Sequence, residues 1–556
     1  MRSRLYRSLI VLALAAGAAV SAEPGAAQMA RQGPRFLSDD PVQRDDDSAI
    51  SVGELQAFEL SENYDFLENT FGSPGDRSPL TAANINTIGE VPDSSWFTNR
   101  IGAREMAPPE LTRGPNKFER LEAPEWTVTR GKGPGGFHPG FRASHAGDPK
   151  QIYQLEVDPR AHPQLASGAE LIGTLIYHAL GYNVVDVYTV KVDPAKIRID
   201  AKATIRDASG SRRYTREDLD SVLRDAARDS SGRVYFSATR YEEGKDIGRF
   251  RYYGTRPDDP NDIHPHEHRR ELRANRVFAA WLAHDDSRAV NTLNMLQERD
   301  GRRHVQHYMY DFGAILGSAT RFPDDVVGGH EYYLDKGTSL RALASLGLAV
   351  PDYLRADYPD IPPSAGFFTS IAFDPVRWKA NYPNPAFSNM RPDDAFWGAR
   401  LVSRFSDAAL AAIVGEVGYD DPRAAEYLTR TLIERRDRIA RVWLNGVNPL
   451  VDFRLSPGGS LAFTNAAVVA GAATSASAYR LTWSRFDNEQ GTHQTMGAEQ
   501  RVTALTVSAP AEVLGAGDFV SVKVISEHPE HPAWAVPMQV YFRRTASGWK
   551  TVGLFR

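Results

Sequence analysis

Asp286 with Asn291 five positions on, followed by Asp311-Phe312-Gly313, are the residues of this chain whose types and spacing suit chemistry. A loop carboxylate orients an attacking hydroxyl, while an amide oxygen and a second carboxylate hold the metals that bridge nucleotide phosphates. Phosphoryl transfer from magnesium-ATP asks for little further covalent chemistry from a protein. In that scheme Asp286 is the base, and Asn291 and Asp311 are the metal ligands. The plain alternative is an acidic surface hairpin, because an isolated Asp-Phe-Gly arises often by chance.

These residues are carried by the stretch 269–318. Leu272, Val277, Phe278, Trp281 and Leu282 fall roughly on one face of a helix that ends near Ala283. Leu293, Met295, Val305, Tyr308 and Tyr310 alternate as strands on either side of Asp300-Gly301, a strong hairpin signal. Both loops therefore open at the same edge. The order of helix, loop, hairpin and Asp-Phe-Gly resembles the D-x4-N and D-F-G pair of protein kinases, with His284-Asp285-Asp286 where those enzymes carry His-Arg-Asp.

Upstream, Gly131, Gly133, Gly135, Gly136 and Gly140 precede an expected strand, 151–157, and would let backbone amides approach a polyphosphate. A flexible linker fits that spacing equally well. Leu171, Ile172, Leu175, Ile176 and Leu180 then form the apolar stripe of a helix with Glu170 in its first turn, closed by Gly181 and followed by a strand, 184–192. This succession is similar to the atypical kinases of the HipA-like and spore-coat CotH-like type. It resembles more closely a group of exported bacterial proteins of uncharacterised function that share GTRPDDPNDIHPHEHRRELRANRVFAAWL, HYMYDFGAILGS, NYPNPAF and YLTRTLIERRDRI. The resemblance implies a two-lobed kinase-like domain binding magnesium and ATP, with Glu170 paired to a strand lysine. The chain departs from that pattern, since Glu156 stands where the lysine is expected. Lys132 in the glycine segment and Lys150 at the strand start are the candidate replacement cations. Without one of them, a catalytically silent pseudokinase-type binding protein of the cell envelope is the better reading.

His264, His266 and His268 alternate, a spacing that on an extended strand puts three imidazoles on one side and suits zinc. They keep a zinc-dependent hydrolase as a third reading, although Pro265 favours a turn. His304 and His307 read as a structural pair.

The remaining organisation follows from composition. Arg2, Arg4 and Arg7 precede an apolar run from Leu9 to Val20, which marks residues 1–22 as a signal peptide and the mature chain as periplasmic or secreted. No later stretch has the length of a membrane span. The 556 residues include no cysteine, and 65 basic against 70 acidic residues leave a net charge of -5, which argues against nucleic acid as a partner. Expected partners are a nucleotide and an unknown protein or envelope substrate. Residues 23–120 read as an irregular extension that wraps onto the next domain, 121–449 as the kinase-like domain with a polar insertion over 203–270, and 450–556 as a β-sandwich. Two helices lie near 395–417, broken at Ser406-Asp407, and from Asp421-Pro422 to Trp443. Arg435, Arg436 and Arg438 read as a solvated, salt-bridged face, and Trp483, Trp534 and Trp549 as core. The fold class is thus α+β, a two-lobed atypical protein-kinase-like domain followed by a C-terminal β-sandwich.

Overall fold

A computed structural model describes residues 34–121, 125–133, 138–207, 209–515 and 517–556. The expected signal peptide, and Gly135 and Gly136 of the glycine segment, lie outside the described residues. The chain is a mixed α+β fold with several sheets. After helix α1 (Glu62–Leu67) come β1 (Trp126–Gly131), β2 (Gly140–His145), β3 (Asp148–Val157), α2 (Leu165–Leu180) and β4 (Val187–Val192). Next are β5 (Ile197–Asp207), β6 (Gly210–Arg213), α3 (Arg216–Arg224) and β7 (Val234–Arg240).

These strands make a 7-stranded sheet in the order β4-β7-β3-β2-β1-β5-β6. β7 sits between β4 and β3, with Ala238 opposite both Tyr188 and Leu155. The region 203–270 is therefore not simply an insertion, because its first part completes the sheet. Two features hide this in the sequence. The polar β5 and β6 form an exposed edge, and the apolar run of β7 is short and interrupted by Ser237. Trp126, Phe141, Leu155 and Phe236 bury one face of the sheet under Leu219 and Leu223 of α3. α2 packs against β4 and β7.

The start of α2 is set by Asp158, the residue after β3. Its Oδ1 accepts from the N–H groups of Ala166 and Ser167, each at 3.0 Å, and its Oδ2 from the Ser167 hydroxyl. A capping carboxylate brought from outside the helix satisfies amides that have no partner within it. Because α2 begins at Leu165, Glu170 lies in its second turn rather than its first. At the other end Gly181 has φ 126°, and a Cβ there would meet the Phe97 ring at 2.3 Å, so only glycine fits.

A second sheet, in the order β10-β9-β8, joins β8 (Lys245–Asp246) to the hairpin of β9 (Thr292–Arg299) and β10 (Arg302–Met309). Helix α4 (Arg270–Leu282) precedes the hairpin and α5 (Lys336–Ala344) follows it. Then come α6 (Pro392–Val402), α7 (Asp407–Gly415) and α8 (Pro422–Trp443), with Ser406 capping α7 and Asp421 capping α8. Trp281, Trp397, Phe405 and Leu432 lie in the apolar core that α2, α4 and α6 to α8 share. Arg436 of α8 is salt-bridged to Asp407 and Asp437, as expected, but Arg435 and Arg438 are held by carbonyls instead. Arg435 is buried and donates to the carbonyls of Ala280 and Thr369, Arg438 to those of Ser370 and Phe373, and Arg436 to that of Phe405. Carbonyl-lined turns offer a guanidinium more hydrogen bonds than a carboxylate would.

The last hundred or so residues form two antiparallel sheets. One holds β11 (Leu450–Leu455), β12 (Ser460–Asn465) and β15 (Thr506–Ser508). The other holds β13 (Ala478–Asp487), β14 (Thr492–Val502), β16 (Phe519–Glu527), β17 (Met538–Thr545) and β18 (Gly548–Phe555). Phe463 and Tyr479 meet edge to face between them, with ring centroids 5.2 Å apart. Trp483 and Trp534 are buried, and Arg544 covers the Trp549 ring. The N-terminal region reaches both parts of the chain: Phe36 packs with Phe486 and Tyr541, while Asn84 bonds Glu271 and Arg270 of α4. Among the described residues no helix is long and apolar enough to cross a membrane.

Asp158→Ala leaves two buried amides and a buried hydroxyl without their acceptor. The expected loss is about 3 kcal/mol of unfolding free energy, read from urea denaturation.

Candidate functional site

The hairpin determines where the site lies. Asp300 and Gly301 have φ of 53° and 72°, the positive values a two-residue turn requires. In the resulting register Thr292 faces Met309 at the open end, so the loop before β9 and the loop after β10 lie side by side. The Tyr310 N–H also donates to the Asn291 carbonyl, at 3.4 Å. Asp286, Asn291 and Asp311 are thereby brought to one edge.

α4 stops at Ala283, which adopts a left-handed φ of 50°. The chain then turns through His284, which is buried, with Nδ1 3.1 Å from the Tyr177 hydroxyl of α2. Phe312 stacks on the same Tyr177 ring at 4.6 Å and meets His284 edge to face. Burial, and then the charge of Arg288, lower the His284 imidazole to about 3, so it is neutral at ordinary pH. This aromatic contact fixes both loops against α2.

Asp286 is held on every side. The Asn291 amide donates to its Oδ2 at 2.8 Å and to its carbonyl at 2.9 Å, and the Asn381 amide reaches Oδ1 at 3.3 Å. Arg288 forms an ion pair with Asp286 and, through Nη1, another with Glu62 of α1. Burial raises the Asp286 carboxyl above its ordinary value, against the lowering effect of Arg288 and these hydrogen bonds. Its neighbour Asp285 is raised by burial and by the charges of Asp324 and Asp286, and Asp324, hydrogen bonded to Asp285, is pushed up to about 6.

Across the cleft, Lys132 pairs with Glu156 Oε1, and His138 Nδ1 lies 3.2 Å from Oε2. His138 Nε2 donates to the Val157 carbonyl at 2.6 Å, so the nitrogen that faces Glu156 carries a proton only in the imidazolium. Burial opposes that charge, but Glu156 outweighs it and raises His138. Burial likewise opposes ionisation of Glu156, yet His138 and Lys132 hold its carboxyl at about 2. Glu170 is buried beside Gly313, where a Cβ would come within 3.4 Å of its Oε2. It accepts the backbone N–H groups of Phe312 and Gly313, and among the described residues it has no cation in ion-pair contact. Burial and the charges of Asp311 and Glu156 raise it well above its usual value. Asp311 has φ 67° and its surface opens onto the cleft. Enclosing protein atoms, then the charges of Glu156 and Asp286, push it up to about 6.

The structure therefore brings together Lys132, Glu156, Glu170, Asp286, Asn291 and Asp311. It does not bring Lys150, which lies exposed at the start of β3, six residues and roughly 20 Å of strand from Glu156. The three alternating histidines do not converge either. His266 and His268 lie in a 3-10 turn; His266 uses Nε2 on Asp262 and Nδ1 on the Arg251 carbonyl, and His268 contacts Asp76 and Arg273. Among the described residues no group of three or more His, Asp or Glu side chains is arranged to hold a metal by itself. His307 stacks on Trp96 at 3.5 Å and bonds Asn294, in keeping with a structural role. Sequence reasoning missed His138, Arg288, Asn381 and Asp324. Only Arg288, two positions after Asp286, had a local signal.

Asp311 supplies a pH-dependent test. Its folded pKa, about 6, lies above the unfolded 3.8, so folding favours its protonated form and its ionisation costs stability as pH rises through that interval. Asp311→Asn should raise the stability of the unliganded protein above pH 6, by about 1 kcal/mol after discounting for exposure to cleft water. The gain should vanish below about pH 4 in thermal melts run across that range; equal melts at every pH would contradict the crowding of carboxylates.

No family model matches this chain, and no curated protein does. Among solved structures it is similar to the Helicobacter pylori proinflammatory kinase CtkA, at a TM-score of 0.28 and 11% identity over 55% of this chain and 91% of that one. A likeness this slight has no bearing on function.

Proposed function

We propose that the protein is an exported, atypical kinase-like phosphotransferase, two-lobed over residues 121–449, with a C-terminal β-sandwich that attaches or braces it. Its acceptor is a protein or another envelope or extracellular component in the periplasm or medium. The observation that carries this reading is the meeting of Asp286, Asn291 and Asp311 at the open end of one hairpin, with Lys132 and Glu156 near enough to Asp311 to act on its carboxyl.

The residues fit magnesium. Asp311 opens a carboxylate onto the cleft, and Asn291 uses its NH2 group on Asp286, which leaves Oδ1 as a hard oxygen donor. Magnesium is ordinarily held by one or two carboxylates plus substrate phosphates, not by a closed protein cage. When bound, the ion would neutralise charge on the transferring phosphoryl group. The chain's own residues do the rest. Asp286, kept in place by Asn291, Asn381 and Arg288, accepts the hydrogen bond and then the proton of an acceptor hydroxyl. Lys132 shares its charge between Glu156 and the phosphates, and the neutral His284 keeps the loop seated on Tyr177. Nucleotidyl transfer would use the same groups.

A second reading, a silent binding scaffold, is favoured by Glu156 in the lysine position and by Glu170 lacking a cation. The zinc-hydrolase reading has less support, because the ring nitrogens of His266 and His268 already have protein partners.

Calorimetric titration with magnesium-ATP separates these readings. Wild type should bind, Asp311→Asn should lose the magnesium-dependent part, and Lys132→Ala should weaken binding about fivefold or more. A charge pair near 4 Å in a partly shielded site is worth about 1–4 kcal/mol, and 1.4 kcal/mol is tenfold. Glu156→Lys should do little or harm. A wild type that binds no nucleotide, beside a Glu156→Lys variant that does, would establish the silent scaffold instead.

A further inference from the structure

A second cavity, of about 330 Å³, lies beside the catalytic-type loop and is lined by Arg276, Tyr332, Trp378, Lys379, Asn384 and Ser388 among others. Its wall is continuous with that loop. Asn381 donates its N–H to the Asp285 carbonyl at 2.8 Å and its amide to Asp286, and Asn384, three residues on, reaches the Ser287 carbonyl at 3.4 Å. The cavity is therefore joined, through Asn384 and the residues either side of Asn381, to the loop that carries Asp286.

The charge there is unbalanced. Lys379 pairs with Asp335. Arg276, projecting from α4, donates to the Val376 carbonyl at 2.6 Å and the Trp378 carbonyl at 3.4 Å, and among the described residues no carboxylate is in ion-pair contact with it. Tyr332 and, more weakly, Asp374 act on it at longer range, and Asp374 already accepts the N–H groups of Val376 and Arg377. Burial lowers the Arg276 guanidinium below its ordinary value, as expected of a cation removed from water without a counter-ion. A guanidinium with unused donors, at the wall of an open polar cavity, fits an oxyanion in a forked geometry that lysine cannot reproduce.

We infer that this cavity is an acceptor subsite that takes an oxyanion, a phosphate or a carboxylate, carried on a hydroxylated acceptor whose hydroxyl then lies at Asp286. Tyr332, Asn384 and Ser388 offer hydrogen-bonding groups for the rest of such a molecule, while the charge of Lys379 is already met by Asp335. The word acceptor rests on the phosphotransfer reading; anion binding at Arg276 does not.

Calorimetry of the full chain with inorganic phosphate, glucose 6-phosphate, glucuronate and neutral glucose tests it, each with and without magnesium-ATP. At least one anionic probe should bind and glucose should not; the phosphate and glucuronate arms tell the two oxyanions apart. Arg276→Gln should weaken that binding at least tenfold while leaving magnesium-ATP affinity unchanged, and Arg276→Lys should recover part of it. Should Arg276→Gln fail to fold, Ser388→Trp, which fills the cavity and keeps the arginine's carbonyl bonds, should block the anion equally. Absence of anion binding by wild type, equal binding of glucose, or binding indifferent to both variants would overturn the inference. Arg276-dependent anion binding in a wild type that binds no magnesium-ATP would uphold the anion site and sink the phosphotransfer reading alone.

Discussion

Glu156, Glu170, Asp286 and Asp311 converge on one cleft, and the arrangement around it is a response to their mutual repulsion. Like charges near 4 Å apart cost about 1–4 kcal/mol each in solvated to partly shielded surroundings. The chain answers each carboxylate differently. Lys132 and His138 flank Glu156 and keep it ionised, Arg288 flanks Asp286, backbone N–H groups meet Glu170, and Asp311 is left open to the cleft. Burial raises Asp286 despite Arg288, and the cation-poor Glu170 and Asp311 are raised by burial and by their neighbours' charges together. Crowded carboxylates of this kind cost stability, and that cost must be met by the apolar cores of the fold.

The same balance bears on Glu156 of β3, where the kinase-like pattern of the sequence implies a lysine. A lysine at position 156 would place one positive charge at the floor of the cleft. Lys132 balances the charge of Glu156, and His138, whose imidazolium Glu156 favours, adds a positive charge there whenever it is protonated. What differs is the reach. Lys132 comes from the glycine segment rather than from a rigid strand, so the charge is carried by a loop while β3 contributes the anchor. Glu170 then has no lysine to pair with and turns to the backbone of Phe312 and Gly313, tying α2 directly to the turn that carries Asp311.

Local patterns made part of this legible. The Asp300-Gly301 turn, the apolar stripes of α2 and α4, the cap at Asp421-Pro422 and the Asp286, Asn291 and Asp311 set all follow from residue type and spacing within a few positions. What the sequence concealed is non-local or depends on side-chain partners. β7 becomes a central strand only by pairing with β3, more than eighty residues earlier. His264, His266 and His268 alternate like strand residues, yet Pro265 turns the chain and separate partners claim the rings of His266 and His268. Arg276, Arg435 and Arg438 look like solvent-facing charges in a helix, and each instead holds carbonyls of a loop distant in sequence.

The N-terminal region shows how far such non-local ties extend. Asp65 of α1 is buried and accepts the Tyr382 hydroxyl at 2.5 Å, and Phe66 packs edge to face on the same Tyr382 ring. Glu62, one turn earlier, pairs with Arg288, and Arg288 with Asp286. Tyr382 follows Asn381 directly, so Arg288 from the loop itself and Asn381 from outside it, which both steady Asp286, each connect to α1. A buried arginine whose second partner is removed either draws closer to its first or leaves it for water, and either response changes the charge felt at Asp286. The position of Asp286 is accordingly tied to residues 62–66 as well as to the loop that carries it, which makes α1 part of the structure around that carboxylate.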